Sequence, residues 1–294
     1  MDNELLLFDR LNVIKDTINK YGEQNFYLSF SGGKDSTILH YLIDMALPNN
    51  QIPRVFINTG IEYNAIVNFV KSLAANDKRF IILQPTKPIK KVLEEYGYPF
   101  KSKEHSTKLH EWQRGNRQTK SIKKYLSEGR FACPQQLRYQ FSNNFNIKLS
   151  QYCCLKLKKE PVKKWAKQNG KPITITGMRK EEGGQRINLN CILTNNKGEI
   201  VKFHPLAKVN DEWEEWFIKE RNIQLCELYY PPFNFTRSGC KGCPFSLTLQ
   251  EQLETMKLYM PAERKQCEFI WKPVYEEYRR LNYRLKNVEK IKLL

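Results

Sequence analysis

The sequence predicts an α/β protein built on a doubly wound, mainly parallel sheet, with a basic helical insertion and a helical C-terminal region. Short apolar runs alternate with segments of helical periodicity between residues 4 and 85, and the links between them are short. A further helix and strand of the same kind follow at 158–177. Strands that alternate with helices in this way are typical of βαβ units, in which the strands lie parallel.

The individual elements follow from the hydrophobic patterns. Residues 4–21 carry Leu6, Leu7, Leu11, Ile14 and Ile18 near helical spacing and predict an amphipathic helix. The elements predicted next are a strand at 25–30, a helix at 35–45, a strand at 54–60, a helix at 63–75, a strand at 79–85, a helix at 158–170 and a strand at 172–177. Ligands of such sheets bind beyond the carboxyl ends of the strands, where we expect Ser31, Thr59 and Gly177.

Two segments depart from this alternation. Residues at about 100–150 are polar and basic with few apolar anchors, which predicts an inserted helical arm or lid; a solvated surface insertion is the open alternative. Residues 247–285 are again helical in pattern, with a break at Pro261. We therefore expect a nucleotide-binding α/β domain at 1–235, including the insertion, and a second region at 236–294.

The composition and net charge of the chain indicate its location and the kind of partner to expect. The chain of 294 residues has 40% hydrophobic residues, which argues against disorder, and no apolar run that would span a membrane. The N-terminal residues lack the pattern of a signal peptide, so a cytoplasmic location is expected. Lys and Arg (49) exceed Asp and Glu (31), and the net charge of +18 would attract nucleic acid or phosphorylated substrates; a solvated Lys-rich surface is the open alternative. Whether the chain forms a homo-oligomer is left open.

The stretch "SFSGGKDS" has the features of an anion-binding turn. Glycines at 32 and 33 allow the backbone to come close to a ligand, and the free N–H groups at a helix start point towards it. Lys34 adds a positive charge, and Ser31 and Ser36 add hydroxyl donors. Asp35 would repel a phosphate unless it binds Mg²⁺ or caps the helix.

This turn is not a Walker A loop, because Leu28 stands where that motif has its first glycine and Asp35 follows the lysine. It resembles instead the PP-loop of the adenine nucleotide alpha-hydrolase superfamily, which includes N-type ATP pyrophosphatases and phosphoadenylyl-sulfate (PAPS) reductases. The resemblance implies that residues 31–36 hold the pyrophosphate of ATP with Mg²⁺ while an acceptor attacks the α-phosphorus. "FINTGIEYNAI" resembles the second element of this superfamily, which implies that Thr59, Gly60 and Glu62 lie beside the nucleotide.

Four of the eight cysteines form a pattern of their own. Cys153 and Cys154 are adjacent, and Cys240 and Cys243 form a Cys-x-x-Cys pair next to glycines. A Cys-x-x-Cys pair can direct two thiolates at one metal centre. Adjacent cysteines fit a single tetrahedral zinc poorly, so we favour a [4Fe–4S] cluster over zinc. Small buried core residues are the alternative interpretation, which we also apply to Cys133, Cys191 and Cys226.

The cysteine arrangement strongly resembles the cluster motif of adenylyl-sulfate reductases. Lys158, Glu160 and Pro161 match the residues that follow the cysteine pair in that family, so Lys158 is expected beside the site. "ITGMRKEEGGQR" resembles the third element of the family, a strand ending in Gly-x-Arg with a second arginine. Gly177, Arg179 and Arg186 are thereby expected to face a sulfate or phosphate, although a glycine pair replaces the usual serine.

The family contains both reductases and ATP-using enzymes. The reductases act through a cysteine in a C-terminal Glu-Cys-Gly-x-His tail, which is not present in this sequence; Cys267 is the nearest candidate. The loop keeps Lys34 and Asp35, which reductases commonly lose. We therefore expect an ATP pyrophosphatase that adenylates DNA or tRNA for sulfur transfer, supplied by a sulfur donor such as a cysteine desulfurase. The alternatives are a PAPS or adenylyl-sulfate reductase and a nucleotide-regulated nucleic-acid binder.

Overall fold

The computed structural model describes residues 2–129 and 131–286, and these divide into two compact units. The first unit consists of residues 2–58, 62–84 and 161–239, and the second of residues 59–61, 85–160 and 240–286. The domain bounds drawn from the sequence, at residues 235 and 236, stay a prediction, and residues 287–294 of the second region lie outside the described residues.

The first unit is built on a six-stranded sheet in the order β3-β2-β1-β4-β6-β5. Its strands are β1 (Phe26–Ser29), β2 (Arg54–Ile57), β3 (Phe80–Leu83), β4 (Ile173–Ile175), β5 (Ile192–Thr194) and β6 (Ile200–Phe203). Its helices are α1 (Asn3–Tyr21), α2 (Lys34–Ala46), α3 (Asn64–Asn76), α8 (Glu160–Gln168) and α9 (Asp211–Glu220). Only β5 is antiparallel to its neighbour, so the predicted doubly wound, mainly parallel sheet is confirmed.

The strand order places the predicted site. β1 pairs with β2 on one side and with β4 on the other, although the chain passes from β1 to β2 first. The connections that leave the carboxyl ends of β1 and β4 therefore diverge, which opens a crevice at this edge of the sheet. The loops after Ser29 and Ile175 both begin at this edge.

A buried network of charged side chains supports the sheet below this edge. Arg54 on β2 is completely buried and places Nη2 2.7 Å from Oδ1 of Asp44. Its Nε donates to Nδ1 of His40 at 3.1 Å, and Arg79 binds the same carboxylate at 2.7 Å. Burial and the charge of Arg54 lower the pKa of His40 to about 4, so this imidazole is neutral near pH 7. A buried guanidinium is tolerated here because it is paired.

The second unit contains helices in the insertion and in the C-terminal region, as predicted. Its helices are α4 (Ile89–Tyr96), α5 (Lys103–Gln113), α6 (Lys120–Leu126), α7 (Tyr152–Cys154), α10 (Leu249–Tyr259), α11 (Pro261–Ile270) and α12 (Lys272–Arg280). A π-helical turn, Leu155–Lys159, follows α7. Pro261 begins α11, where the break was expected, because a proline is tolerated at the first position of a helix. None of the helices in the described ranges has the length and apolar character that a membrane span requires.

Candidate functional site: the glycine turn and the cysteine region

The glycine turn connects β1 to α2, and Gly33 is the N-cap of that helix. Gly32 has φ +71°, and a Cβ at this position would lie 2.9 Å from Cγ2 of Ile66. Gly33 has an ordinary φ, but its Cβ would meet the hydroxyl of Ser238 at 2.9 Å. Each glycine is thus required for a different reason, the first mainly by its backbone conformation and the second by the close approach of another segment.

The turn is closed by hydrogen bonds. The backbone N–H of Ser31 donates to Oγ of Ser36 at 3.2 Å, and the N–H of Gly33 donates to Oγ of Ser31 at 3.3 Å. Oγ of Ser36 donates to the carbonyl of Gly33 at 2.9 Å. The N–H of Lys34 donates to the hydroxyl of Tyr229 at 3.0 Å. The two serines that the sequence pointed to therefore shape the turn.

Lys34 contacts a carboxylate that the sequence analysis did not identify. Its Nζ lies 3.2 Å from Oε2 of Glu214 on α9, whose side chain is completely buried. Nε of Arg179 lies 3.1 Å from the other oxygen of this carboxylate. Burial and the nearby charge of Asp35 raise the pKa of Glu214 to about 8, against the opposing effect of Arg179 and Lys34. Glu214 thus holds a proton over much of the neutral range.

Arg179 lies at the centre of an ion-pair network at the start of α2. Its Nε is 2.8 Å from Oδ1 of Asp35, and its Nη2 is 2.6 Å from Oδ1 of Asp211. The side chain is only 5% exposed, and within the described chain its buried Nη1 has no hydrogen-bond partner. Arg179 is therefore a cation beside the glycine turn whose Nη1, with two N–H groups, is still to be satisfied.

Gly177 packs directly on the glycine turn. A Cβ at Gly177 would lie 3.0 Å from the carbonyl carbon, the carbonyl oxygen and the Cβ of Asp35. The loop after β4 can approach α2 this closely only with glycine at this position. Gly177 and Arg179 are thus placed at the turn from the same loop.

Arg186 is half-exposed and forms an ion pair with Glu182, which also contacts Arg237. Burial and the charge of Arg237 lower the pKa of Arg186. Residues 31–36 with Gly177 and Arg179 thus meet in the first unit, and Arg186 lies within electrostatic range of Asp35 and Arg179.

The predicted second element is divided between the two units. Thr59 and Gly60 belong to the second unit and Glu62 to the first. The side chains of Thr59 and Glu62 are buried, and the carbonyl of Gly60 accepts a hydrogen bond from Gln266 at 3.3 Å. Their place beside a nucleotide remains a prediction.

The cysteine pair lies in a basic setting within the second unit. The thiol of Cys153 is buried and donates to Sγ of Cys154 at 3.9 Å. This hydrogen bond and the charges of Lys158, Lys103 and Lys159 lower the pKa of Cys154 to about 6, against the effect of burial. Cys154 can therefore form a thiolate near neutral pH, which is the form that binds metals.

The Cys-x-x-Cys turn belongs to the same unit. Burial and the charges of Cys240 and Cys154 raise the pKa of Cys243 to about 12, which shows that these thiols lie within electrostatic reach of one another. Gly242 has φ +59°, and the carbonyl of Gly242 accepts a hydrogen bond from Tyr275 at 2.5 Å. Among residues 2–129 and 131–286, no set of three or more His, Cys, Asp or Glu side chains is arranged to hold a metal ion.

Cys267 is a buried residue of α11. It is 1% exposed, and burial raises the pKa of its thiol to about 12. Its Sγ would lie 2.8 Å from a Cβ placed on Gly242, so this thiol packs against the Cys-x-x-Cys turn. A buried thiol with a raised pKa is a poor nucleophile.

Sequence comparison assigns the chain to a family. The family model described as the phosphoadenosine phosphosulfate reductase domain matches residues 25–135 and 132–246, which include every predicted site residue. The chain belongs to the PAPS reductase domain family. The membership expected from the glycine turn is therefore confirmed.

Relatives of this PAPS reductase domain protein include an uncharacterized protein of Methanocaldococcus jannaschii. The two are 24% identical over 274 residues, which are 91% of this chain and 53% of the relative. The chain thus spans about half of the length of the curated relative that it matches.

Several solved structures are similar to the chain. A PAPS reductase from Candida auris, in a phosphate complex, has a TM-score of 0.45 and 16% identity and covers 78% of this chain and 93% of its own. An FMN adenylyltransferase from Candida glabrata has a TM-score of 0.45 and 15% identity and covers 77% of this chain and 59% of its own. An NH3-dependent NAD synthetase from Campylobacter jejuni has a TM-score of 0.41 and 14% identity and covers 93% of this chain and 95% of its own. The family assignment itself rests on the family model.

The sequence analysis missed four residues at the glycine turn of this PAPS reductase domain. Glu214 and Asp211 lie on α9, and Tyr229 and Ser238 lie in the segment that follows it. The start of α9 carries a sequence signal, since Asn210 caps it by accepting the N–H of Trp213 at 2.9 Å and acidic residues follow. No comparable signal marks Tyr229 or Ser238, because their role depends on how the segment folds back.

Proposed function

We propose that this chain is an ATP-using PP-loop enzyme that adenylates an acceptor and releases pyrophosphate, in the service of sulfur transfer to DNA or tRNA. The observation that carries the proposal is the complete glycine turn at the carboxyl edge of the sheet, with Lys34 and Asp35 in the first turn of α2. A loop that only accommodates a sulfonucleotide has no pyrophosphate to release and has less need of this pair.

The chemistry proposed for the turn is the stabilisation of a leaving group. An acceptor oxygen attacks the α-phosphorus of ATP, the bond to the bridging oxygen breaks, and pyrophosphate carries away the negative charge. Lys34 and the N–H groups at the start of α2 would hold that charge. Mg²⁺ bound through Asp35 would supply further neutralisation of the phosphates. Lys34 would then exchange its contact with Oε2 of Glu214 for a phosphate oxygen.

The two arginines would hold the acceptor. Arg179 retains a buried N–H group without a partner among the described residues, and Arg186 is half-exposed. A guanidinium binds phosphate through two parallel hydrogen bonds and keeps its charge when buried. We therefore assign to them the phosphate group next to the oxygen that is adenylated.

The cysteines are the proposed ligands of a [4Fe–4S] cluster, with zinc as the alternative. The donor chemistry supports this, since Cys154 has a lowered pKa, and Cys154, Cys240 and Cys243 all lie within electrostatic range of Cys153. Lys158 adds positive charge that would compensate an anionic cluster. Such a cluster would be structural, electrostatic or sulfur-handling.

The proposal of a nucleic-acid partner is based on exposed, positively charged side chains in the insertion. Five exposed cations lie in the turn after α5 and on α6, and none of them forms an ion pair within the described ranges; they are Arg114, Arg117, Lys120, Lys123 and Lys124. Lys and Arg side chains that are not held in ion pairs are suited to backbone phosphates. This segment is the proposed contact with DNA or tRNA.

The main alternative, reduction of a sulfonucleotide, is favoured by the family itself. It would require a reactive thiol, and Cys267 is buried with a raised pKa. Release of pyrophosphate from ATP with and without DNA or tRNA separates the two functions. We expect pyrophosphate release that depends on nucleic acid and is lost in Lys34→Ala but retained in Lys180→Ala. Sulfite formed from adenylyl sulfate and thioredoxin, and abolished by Cys267→Ser, would establish the reductase instead.

The nucleic-acid contact has its own test. Replacing Arg114, Arg117 and Lys120 by Ala should weaken binding and reduce the slope of log K against log salt by about 0.9 for each lost phosphate contact with duplex DNA. A matched control replaces three exposed lysines of α8, namely Lys163, Lys164 and Lys167. Equal effects of the two triple variants would show that only net charge matters.

The metal is tested by anaerobic purification. Iron and acid-labile sulfide near four atoms of each per chain, with a brown colour, are expected for the [4Fe–4S] assignment. Cys154→Ser should lower both contents, and Cys191→Ser should leave them unchanged. A colourless preparation that contains zinc would replace the cluster by the alternative.

A further inference from the structure

Two hydroxyl groups lie where the glycine turn would receive a phosphate. The hydroxyl of Tyr229 accepts the N–H of Lys34 at 3.0 Å, at the first residue of α2. Oγ of Ser238 lies 2.8 Å from the same hydroxyl. Both belong to the segment between α9 and the Cys-x-x-Cys turn, and both are only partly exposed.

The two hydroxyl groups also lie close to Gly33 of the turn. A Cβ at Gly33 would be 2.9 Å from Oγ of Ser238 and 3.3 Å from the hydroxyl of Tyr229. Two hydroxyl oxygens of the protein itself therefore lie directly against Gly33. These oxygens stand at hydrogen-bond distance from a helix N-terminus, as the oxygens of a bound phosphate do.

Two further N–H groups of the turn are also engaged. The N–H of Ser31 binds Oγ of Ser36, and the N–H of Gly33 binds Oγ of Ser31. Only the bond from Lys34 reaches a distant part of the chain, 195 residues away. A phosphate that takes the N–H of Lys34 must therefore displace Tyr229, since one N–H group makes one full hydrogen bond.

We propose that Tyr229 and Ser238 form a hydroxyl plug in the phosphate-binding turn, which the terminal phosphates of a nucleotide displace when they bind. The proposal rests on the proposed function, because it takes the turn to be the phosphate site. A phosphate oxygen is charged and a tyrosine hydroxyl is neutral, so the exchange replaces a neutral hydrogen bond by a stronger, charge-assisted one. Weakly charged ligands gain less from the exchange, and the plug thereby selects for phosphate.

The plug is linked to the second arginine of the site. Ser238 follows Arg237, which shares the carboxylate of Glu182 with Arg186. When the plug leaves, Arg237 moves with Ser238 and its hold on Glu182 is released. Glu182 then remains with Arg186, so occupation of the turn changes the charge environment of the residue assigned to the acceptor.

Calorimetric titration with Mg²⁺ and pyrophosphate tests the plug. Tyr229→Phe removes the competing hydroxyl, and we expect it to bind pyrophosphate about three- to tenfold tighter than the wild type, the gain of about one hydrogen bond. Ser238→Ala should shift affinity in the same direction by less. Tyr230→Phe is the matched control, because its hydroxyl accepts the N–H of Leu225 away from the turn, and it should bind as the wild type does.

The outcomes separate the plug from the proposed function. Binding by Tyr229→Phe that equals or falls below that of the wild type overturns the plug, and adenylation is then still judged by pyrophosphate release. Pyrophosphate binding by Tyr229→Phe but not by the wild type supports the plug. If neither the variant nor the wild type binds pyrophosphate, the plug is overturned.

Hydrogen exchange on the wild type provides an independent readout that needs no variant. Pyrophosphate should slow exchange at 31–37 and speed it at 226–239, and slowing of both segments would contradict displacement.

Discussion

Nζ of Lys34 lies 3.2 Å from Oε2 of Glu214, a carboxylate that is completely buried beneath the glycine turn. The lysine that the family motif assigns to phosphate is therefore held by an acid from α9. Arg179, the second cation at the turn, contacts the same carboxylate. Asp35 and Asp211 supply the negative charge beside Arg179.

Glu214 should make stability depend on pH. Burial and the charge of Asp35 raise its pKa to about 8, whereas the unfolded chain has the ordinary value of about 4.5. The folded state binds the extra proton between these values, so this contribution is complete below pH 4.5 and is lost as the pH rises to about 8. The difference in unfolding free energy between the wild type and Glu214→Gln should change by up to about 5 kcal/mol over this range. Urea unfolding of both proteins at pH 5, 6.5 and 8 measures this difference. The same difference at all three pH values would contradict the raised pKa of Glu214.

Asp44 should be essential to the buried charge network. Asp44→Asn leaves the completely buried guanidinium of Arg54 without a charged partner, and we expect a loss of about 3 kcal/mol in unfolding free energy. The control is Glu276→Gln, which removes an exposed pair with Lys272 and should cause no detectable change. Denaturant titration of both variants measures these changes. Equal unfolding midpoints for Asp44→Asn and Glu276→Gln would show that Arg54 finds another partner.

Gly177 should be intolerant of any side chain. Gly177→Ala places a Cβ 3.0 Å from the backbone of Asp35, so the start of α2 must shift. We expect a loss of about 1–3 kcal/mol in stability and a larger than tenfold fall in pyrophosphate release. Gly239→Ala, where a Cβ meets no atom within 4 Å, should retain both. A Gly177→Ala variant with normal release would show that the turn tolerates the shift.

Gly242 should be essential to the Cys-x-x-Cys turn. Its φ of +59° and the 2.8 Å approach of a Cβ to Sγ of Cys267 both disfavour alanine, and we expect Gly242→Ala to cost about 2–4 kcal/mol and to lower bound metal. Gly198→Ala has a similar φ of +77° but no neighbouring atom, so it isolates the cost of the backbone conformation. Thermal unfolding and metal analysis of Gly242→Ala and Gly198→Ala measure the two losses. Equal losses would show that Cys267 does not limit the space.

Several elements of this structure were predicted from the amino-acid sequence. Short apolar runs and helical patterns located α1, β1, α2, β2, α3 and β3 to within a few residues, because each of these elements buries one apolar face or is buried throughout. The Gly-Gly turn and Gly177 were located by their motifs, whose glycines are demanded by local backbone geometry and close packing. Strands β5 and β6 and helix α9 were missed, since the strands are short and the acidic helix start stands apart from any recognised motif.

By itself the sequence determined the parallel sheet, the position of the glycine turn, and the family, because these depend on local patterns and on residues adjacent in the chain. The tertiary structure alone decided which groups surround the turn. Glu214 and Tyr229 contact Lys34 from distant parts of the chain, Tyr229 from 195 residues away, and Asp211 contacts Arg179 beside the turn. These contacts depend on distance, burial and charge in the folded protein, which a local sequence pattern does not specify. The burial of Cys267 was decided in the same way, by the packing of α11 against the turn that holds Gly242.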